Sequence, residues 1–393
     1  MRQSTLLHRR RPLLGYALLL TACASRIVPP AAAPAAEPGD IVASVILIGD
    51  AGAPKAPTEP VLTAVARELS HRPDTAAILF LGDNVYPRGL PDSAHPSYAE
   101  AARRLRAQLE LASEVPVFLV PGNHDWDKSG TDGLARIRHQ GVFVARASGG
   151  RARLLPADGC PGPEVADIGS GLRLVLLDTE WWLFPHDKPG ETSRCPTRTR
   201  AEVIASLKKL LEGSRGRQVI VAGHHPLESG GPHGGYFPVV DHLFPLRKLH
   251  PALFVPLPII GTIYPAARGQ GISAEDVNGG PYRVLRASLD SAFACAPPAI
   301  YAAGHEHTLQ VIDRGRPPML VVSGAGIYGH ESHVEGIPGT RVALGDPGFM
   351  RVDLLRDGRL RLGVVTVDRN GRGREVYAER LPVQPMGGAC PSR

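Results

Sequence analysis

The chain is poor in cysteine, tryptophan and methionine, and none of its hydrophobic runs is long enough to cross a bilayer. Its 393 residues include 5 Cys, 3 Trp and 4 Met, with no Cys-x-x-Cys pair that would indicate a cysteine-bound metal. Hydrophobic residues make up 43% and charged residues 21%, as in an average soluble globular protein. This composition excludes a disordered chain, a coiled coil and a polytopic membrane protein.

Acidic residues are missing from the first 22 positions, which contain four arginines. Removing that segment reduces the formal net charge from +6 to +2, so most of the apparent basicity belongs to the N-terminus. Arginine outnumbers lysine 38 to 6, which is a compositional bias, and no segment combines clustered basic and aromatic residues. A nucleic-acid platform is therefore not predicted.

These arginines and the apolar stretch at 13–22 are typical of an export signal, so residues 1–22 are interpreted as a signal peptide. The Leu-Thr-Ala-Cys sequence at its end resembles a bacterial lipobox, and we expect cleavage before Cys23 and lipidation of its sulfur. An ordinary signal peptide with an unrelated cysteine is the alternative. Residues 23–40 then form an Ala/Pro-rich tether. Ala24 favours the periplasmic face of the outer membrane if the host is Gram-negative.

The other four cysteines belong to a chain that we expect to enter an oxidising compartment, and their even number favours two disulfides. They are Cys160, Cys195, Cys295 and Cys390. The sequence does not determine the pairing. The Cys160–Cys195 pair closes a short loop and is the preferred guess.

Short apolar runs, each followed by a glycine-containing turn, predict buried strands that alternate with helices as far as residue 304. The predicted strands are 42–48, 76–81, 117–120, 172–177, 218–222 and 299–303, and the predicted helices are 58–70, 98–113 and 199–212. Later runs, at 319–323, 349–355, 359–367 and 374–380, predict strands joined by hairpin turns. The pattern indicates one α/β domain at 41–385 with a mainly β C-terminal part, followed by a tail at 386–393.

Residues 227–298 differ from this pattern because they are rich in proline, glycine and aromatic residues. Pro256 and Pro258 are expected to block a helix there. We interpret the segment as an insertion over one face of the sheet, either a lid or pocket wall or a packed structural excursion.

Five predicted strands end in polar residues of the metal-ligating type. The strand ends read Gly-Asp-Ala-Gly at 49–52, Gly-Asp-Asn-Val-Tyr at 82–86, Gly-Asn-His-Asp at 122–125, Gly-His-His-Pro at 223–226 and Gly-His-Glu-His at 304–307. Ligands collect beyond the carboxyl ends of parallel strands, so these ends are expected to share one crevice. Each motif alone is weak, but their conjunction indicates a metal site.

In this order the motifs resemble those of the calcineurin-like metallophosphoesterases, and among them the small, tartrate-resistant type of purple acid phosphatase. The resemblance covers residues 41–330. It implies a four-layer α/β/β/α sandwich with mixed sheets and a pair of metal ions. The implied ligands are Asp50, Tyr86 and His307 for the first metal, Asn123, His224 and His305 for the second, and Asp83 as a bridge.

Tyr86 is the most discriminating of these residues, because most metallophosphoesterases have no tyrosine ligand. A phenolate suits a hard trivalent cation, so the resemblance implies Fe(III) paired with Fe(II), Zn(II) or Mn(II). If Tyr86 is only a buried turn residue before Pro87, a site for Mn or Zn is the better interpretation.

The resemblance also assigns residues on the substrate side. Asn123 and His124 would bind phosphate, and His124 or His233 would assist the leaving alkoxide, with Asp125 orienting His124. His233, nine residues after the fourth-motif ligand and followed by glycine, corresponds to a second histidine of the tartrate-resistant type. His225 is assigned near the substrate, with a packing role as the alternative.

These assignments predict an acid-phosphatase-like phosphoric ester hydrolase that cleaves monoesters by direct attack of a metal-bound hydroxide. A phosphodiesterase, nucleotidase or phosphoprotein phosphatase on the same centre is an enzymatic alternative, and a non-catalytic surface lipoprotein is a further one. The predicted partners are a phosphorylated substrate and, through the lipid, a membrane. The Gly-x-Gly-x-x-Gly sequence at 324–329 lacks the following helix of a dinucleotide site and is interpreted as a loop near the metal crevice.

Overall fold

The computed structural model describes residues 38–72, 75–248, 250 and 252–383. The predicted signal peptide, Cys23, most of the tether, Cys390 and the tail at 386–393 lie outside the described residues. No helix among those described is long and apolar enough to span a bilayer.

Fourteen strands and eight α-helices are found in this part of the chain. The strands are β1 (Ile41–Ile48), β2 (Ala76–Phe80), β3 (Val117–Leu119), β4 (Ala152–Leu154), β5 (Glu164–Ile168), β6 (Leu172–Leu176), β7 (Gln218–Ala222), β8 (Ile300–Ala303), β9 (Leu309–Ile312), β10 (Met319–Ser323), β11 (Thr340–Leu344), β12 (Gly348–Leu355), β13 (Leu360–Val367) and β14 (Gly373–Leu381). The helices are α1 (Pro60–Leu69), α2 (Tyr98–Leu109), α3 (Gly133–Ala147), α4 (Glu180–Leu183), α5 (Arg200–Gly213), α6 (Val239–Leu243), α7 (Pro258–Gly269) and α8 (Gly280–Phe293).

The strands form two seven-stranded mixed sheets. The first has the order β14-β13-β12-β1-β2-β3-β4, and the second has the order β11-β9-β10-β8-β7-β6-β5. Strands β1 to β4 run parallel to one another, as do β6, β7, β8 and β10, whereas the C-terminal strands β12 to β14 pair antiparallel. Each sheet therefore gathers the carboxyl ends of several parallel strands at one edge.

Three apolar clusters show how the layers pack. One contains residues of both sheets, such as Leu47 and Leu79 from the first and Leu174 and Ile220 from the second, so it fills the space between them. The two others join the outer face of each sheet to helices, α1 to α3 on the first sheet and α4, α5 and α8 on the second. The predicted α/β/β/α sandwich is thereby confirmed.

The long buried runs were predictable as strands, and the observed bounds agree within a few residues. The short or edge strands β4, β5, β9 and β11 were not predicted, because three to five residues carry little periodicity. The expectation that Pro258 blocks a helix is wrong. Pro258 begins α7 instead, since a first helical residue needs no N–H donor and proline already has a helical φ.

The preferred disulfide is confirmed. Cys160 and Cys195 are bonded, which links the segment before β5 to the loop before α5. Cys295 is disulfide-bonded as well.

Candidate metal centre

All five predicted strand ends meet in one crevice between the two sheets. The loops after β1, β2 and β3 supply Asp50, Asp83, Tyr86 and Asn123, and the loops after β7 and β8 supply the three predicted ligand histidines. The carboxyl ends of parallel strands from both sheets therefore build the site, as the strand-end rule predicts.

The first cluster consists of Asp50, Tyr86 and His307. The Tyr86 hydroxyl lies 3.1 Å from Asp50 Oδ1 and 3.1 Å from His307 Nε2, and the latter two atoms are 3.5 Å apart. Ligand atoms about 2.0–2.2 Å from one cation have separations of this size. The three donors therefore fit a single metal ion.

The second cluster consists of Asn123, His224 and His305. His224 Nε2 lies 3.1 Å from Asn123 Oδ1 and 3.3 Å from His305 Nδ1. The opposite nitrogens of both imidazoles contact backbone carbonyls, His224 Nδ1 that of Leu81 and His305 Nε2 that of Glu275. The two remaining nitrogens, His224 Nε2 and His305 Nδ1, face each other and are the atoms available to bind a metal ion.

Asp83 lies between the two clusters. Its Oδ1 atom is 3.5 Å from His224 Nε2 in the second cluster, and its carboxylate also forms a hydrogen bond with Tyr86 in the first. Ligand atoms of Asp50, Asp83 and His224 lie within 4.8 Å of one another. This position is the one that a bridging carboxylate requires.

The backbone at these strand ends is strained in a way that serves the site. Asp50, Asp83 and His305 have φ values of 57°, 54° and 68°, in the left-handed region that non-glycine residues rarely adopt. Gly82, with φ of 93°, precedes Asp83, and a Cβ there would collide with the His224 ring. The glycines of the motifs thus allow close approach between the two halves of the site.

The electrostatics of the buried groups also fit cation binding. Burial, and then the neighbouring Asp83 carboxylate, raises the pKa of Asp50 well above its usual value, and burial with both carboxylates does the same for the Tyr86 phenol. Burial lowers the pKa of His224 to about 4 and that of His307 to about 3, so both imidazoles are neutral and able to act as ligands. Ionised Asp50 and Tyr86 need nearby positive charge, which bound cations would provide.

His124 and Asp125 follow the second-cluster ligand Asn123, but only His124 faces the crevice. The His124 ring packs against Tyr86 with 4.4 Å between centroids, and its Nδ1 atom is 2.7 Å from the Pro87 carbonyl. The prediction that Asp125 orients His124 is wrong. The buried Asp125 carboxylate instead accepts hydrogen bonds from three backbone N–H groups, those of residues 84, 85 and 122, and so ties two motif loops together.

The insertion supplies an unforeseen support for the second cluster. The backbone carbonyl of Glu275 lies 3.1 Å from both His305 Nε2 and His233 Nδ1, and the two rings are in contact, with 4.0 Å between centroids and 40° between planes. Asp276 is 2.5 Å from Arg268 Nε and 3.7 Å from His233. His233 is thus held beside the metal centre, as its predicted role requires. No sequence motif pointed to Glu275 or Asp276.

His225 does not occupy the substrate side to which it was assigned. Its side chain is fully buried, with Nδ1 2.8 Å from the Thr179 hydroxyl and Nε2 3.0 Å from the Glu275 carboxylate. Since both ring nitrogens have protein partners, the geometry favours the packing alternative. Glu306 also turns away from the ligands and accepts hydrogen bonds from Ser229 and the His233 backbone.

The loop at 324–330 contributes a residue that the sequence did not single out. No helix follows its glycines, which agrees with rejecting a dinucleotide site. His330 is exposed at the end of this loop, and its ring lies 4.1 Å from that of His307 and 5.2 Å from that of Tyr86. It therefore borders the first cluster on the solvent side.

A separate cleft of about 360 Å³ lies at the opposite ends of the sheets, lined by residues such as Val42, Gly171 and Gln218. These residues stand at the beginnings of parallel strands, and the cleft contains none of the predicted site residues. The strand-end crevice is therefore the candidate active site.

The sandwich fold and its candidate metal-binding groups define the class of a metal-dependent hydrolase. Residues 43–250 match the family model of the calcineurin-like phosphoesterases, more than half of the chain, and the protein belongs to that family. It is thus a metal-dependent phosphoric ester hydrolase. His305 and His307 lie beyond the matched residues but take their places in the same site.

Among characterised proteins, the chain is similar to the tartrate-resistant acid phosphatase type 5 of Homo sapiens and of Sus scrofa. Identity to the human protein is 24% over 368 residues, which cover 86% of this chain and 90% of the relative. Identity to the pig protein is 26% over 226 residues, covering 52% of this chain and 60% of the relative.

Solved structures share the fold at low identity. The Plasmodium protein described as "GAP50 the anchor in the inner membrane complex" gives a TM-score of 0.54 at 16% identity, covering 87% of this chain and 89% of that one. The purple acid phosphatase PPD1 from yellow lupin (Lupinus luteus) gives 0.51 at 15% identity, covering 88% of this chain. This chain spans 54% of the lupin structure.

Proposed function

We propose that the protein is an exported, lipid-anchored phosphatase that hydrolyses phosphate monoesters at a binuclear centre of the purple acid phosphatase type. One observation carries the proposal: the Tyr86 hydroxyl stands 3.1 Å from both Asp50 and His307. A phenolate beside a carboxylate favours a trivalent cation such as Fe(III) in the first cluster. The amide and two imidazoles of the second cluster suit Fe(II), Zn(II) or Mn(II).

Two cations held by these seven residues would neutralise phosphoryl oxygens and lower the pKa of water, which is the chemistry that ester hydrolysis needs. The chain's own residues would position the substrate around them. Asn123 lies at the second cluster with its amide facing His224, and His124 and His233 border the centre on different sides. Both histidines can therefore reach a phosphate group placed between the clusters.

His124 is the better candidate for assisting the leaving group. Its Nδ1 atom contacts the Pro87 carbonyl, so this nitrogen carries a proton and donates a hydrogen bond to that oxygen. The other nitrogen, Nε2, is 3.9 Å from Asp83 Oδ2 and is available to the crevice. When the ring is cationic, Nε2 can give a proton to a departing alkoxide oxygen.

The test combines metal analysis, a visible spectrum and turnover on protein prepared without added metal. We expect iron with a tyrosinate-to-iron charge-transfer band, and faster hydrolysis of p-nitrophenyl phosphate than of bis-p-nitrophenyl phosphate. A colourless protein containing Mn or Zn would refute the purple acid phosphatase type. Preference for the diester would favour a phosphodiesterase, and a metal-free protein without turnover would favour the non-catalytic alternative.

The anchoring part of the proposal has its own support and its own test. It rests on the lipobox-like sequence ending in Cys23 and on the Ala/Pro-rich residues that follow. Mass spectrometry of the mature N-terminal peptide is expected to find an acylated Cys23 in an outer-membrane fraction. An N-terminus cleaved elsewhere, without lipid, would refute the anchor and leave the catalytic proposal intact.

A further inference from the structure

Helix α7 in the insertion packs in the inverse of the usual manner. Its buried residues are the small or constrained Gly261 and Pro265, and Gly261 is so close to the backbone of α6 that a Cβ would collide with the His242 carbonyl. The large apolar side chains of α7 are turned to solvent instead. Ile259 is 82% exposed and Ile263 61%. A helix that buries its small side and exposes its isoleucines presents an apolar surface that the described residues leave uncovered.

Neighbouring segments extend this surface. Among the described residues, thirteen large hydrophobic side chains are exposed, and nine of them lie between residues 239 and 272. We call these nine the insertion face: Val239, Leu253, Phe254, Val255, Ile259, Ile260, Ile263, Tyr264 and Ile272. Such a concentration is far above the scattered exposure of ordinary surfaces and marks an interaction site.

The charges of this segment favour an anionic partner. Residues 239–272 contain three basic residues, Arg247, Lys248 and Arg268, and the single acid Asp241, and of the three Arg268 is paired with Asp276 just beyond the segment. Arg247 lies over the Phe254 ring at 4.7 Å, and Arg268 donates a hydrogen bond to the Tyr264 hydroxyl at 2.8 Å. Apolar side chains interleaved with arginines and a tyrosine are the composition of helices that lie in the interface of an anionic bilayer.

The chain preceding the fold allows this face to reach a membrane. The fifteen residues from 23 to 37, if extended, would span about 50 Å. Strand β1, which starts at Ile41 and leads toward the metal centre, is only about 27 Å long. A lipid on Cys23 therefore leaves the domain free to turn its insertion toward the same bilayer.

The insertion face lies next to the candidate metal centre. Arg268, at the C-terminal end of α7, approaches His233 to within 2.9 Å, and the His233 ring contacts the second-cluster ligand His305. Whatever covers the insertion face is therefore close to the crevice in which phosphate esters would be cleaved.

We propose that the insertion face is a membrane-docking surface that seats the domain on an anionic lipid bilayer, with the metal crevice directed at phosphate esters carried in that bilayer. This inference rests on the proposed lipid anchor and catalytic function. It gives the insertion a role that neither the metal ligands nor their supports explain.

The test uses the purified full-length protein on vesicles of phosphatidylcholine and phosphatidylglycerol. An environment-sensitive fluorophore is attached at Ile263→Cys and, as the matched control, at Val142→Cys, a 51% exposed valine on α3 over the other sheet. We expect blue-shifted emission at position 263 and no shift at 142. A label at Leu253→Cys is expected to show the same blue shift in the otherwise unchanged protein. Adding Ile259→Ser and Ile263→Ser to that labelled variant is expected to abolish the shift, because these two apolar anchors are removed.

Each other outcome overturns the inference in a recognisable way. No shift at 263, with or without lipid on Cys23, excludes docking, and an equal shift on pure phosphatidylcholine excludes the role of anionic lipid. A shift that grows with protein concentration in the absence of vesicles shows that a second copy of the chain covers the face. Turnover of p-nitrophenyl phosphate in the same samples reports the catalytic proposal separately, and the serine substitutions are expected to leave it within about twofold.

Discussion

The two metal clusters are built differently, although their donors come from equivalent strand ends. In the second cluster both imidazoles are buried, and a backbone carbonyl holds each one from behind. In the first cluster the donors mainly contact one another, the His307 side chain keeps 22% of its surface exposed, and its outer neighbour is the exposed His330. Backbone carbonyls thus hold both imidazoles of the second cluster, whereas in the first cluster a backbone N–H contacts only Asp50 and the ionised forms of Asp50 and Tyr86 need nearby positive charge.

This difference explains which part of the site the insertion controls. Glu275 and Asp276 support the second cluster and His233, and they come from the loop between α7 and α8. The first cluster is held instead by Tyr86 and by the backbone N–H of His305, which donates a hydrogen bond to Asp50. Substitutions in the insertion should therefore affect the second metal and the proton chemistry, and substitutions of Tyr86 should affect the first metal.

The largest effect is expected from Asp83→Ala, which removes the carboxylate that lies between the two clusters. Hydrolysis of p-nitrophenyl phosphate should fall by about a thousandfold or more, since both metals lose a ligand. The measurement is turnover together with metal content. Asp92→Ala, an exposed acid in a nearby loop, is the control for folding. Full metal content and activity in Asp83→Ala would show that the clusters are independent and not bridged.

A smaller effect confined to the first cluster is expected from Tyr86→Phe. The phenyl ring keeps the packing against His124 but removes the oxygen donor, so the visible band should vanish and kcat should fall by about ten- to a hundredfold. Absorption spectroscopy and kinetics measure the two results. Retention of the band would mean that another residue supplies the phenolate or that the colour has another origin.

An effect confined to the second cluster is expected from Glu275→Gln. The backbone carbonyl that contacts His305 stays, but the charged partner of His225 is lost, so affinity for the second metal should fall about tenfold. Competition with a chelator measures this affinity. Glu228→Gln in the same insertion is the matched control. Equal affinity for the second metal in both variants would show that only the backbone carbonyl of Glu275, and not its side chain, supports the second cluster.

The smallest effect is a change in pH dependence on Asp276→Asn. Burial acts to lower the pKa of His233, but the carboxylates of Asp276 and Glu306 outweigh it and raise this pKa above 6.5. A protonated His233 therefore persists to higher pH, and activity that needs it is lost as pH rises through the raised pKa.

Removing the Asp276 charge lowers that pKa, so the descending limb of kcat against pH should move down by about one unit. The exposed Asp187→Asn is the control. An unchanged limb in Asp276→Asn would assign the titration to a group other than His233.

Much of the site was predictable because its ligand residues come directly after regular strands in the sequence. The motif residues stand directly after buried strands, and the strand-end rule places such residues together even though Asp50 and His307 are about 250 positions apart. The roles of Asp125 and His225 were not predictable. Both sit beside ligands in sequence, but local chain direction turns their side chains inward, and only packing reveals this.

The sequence by itself determined the class of the protein, the order of its donors and the alternation of strands and helices, because these depend on residue type and periodicity along the chain. The tertiary structure alone decided that Glu275 supports the second cluster, that His330 borders the first, and that α7 exposes its isoleucines. These features arise from the path of a long insertion and a loop. Such paths follow from close packing between distant segments, which no local periodicity encodes.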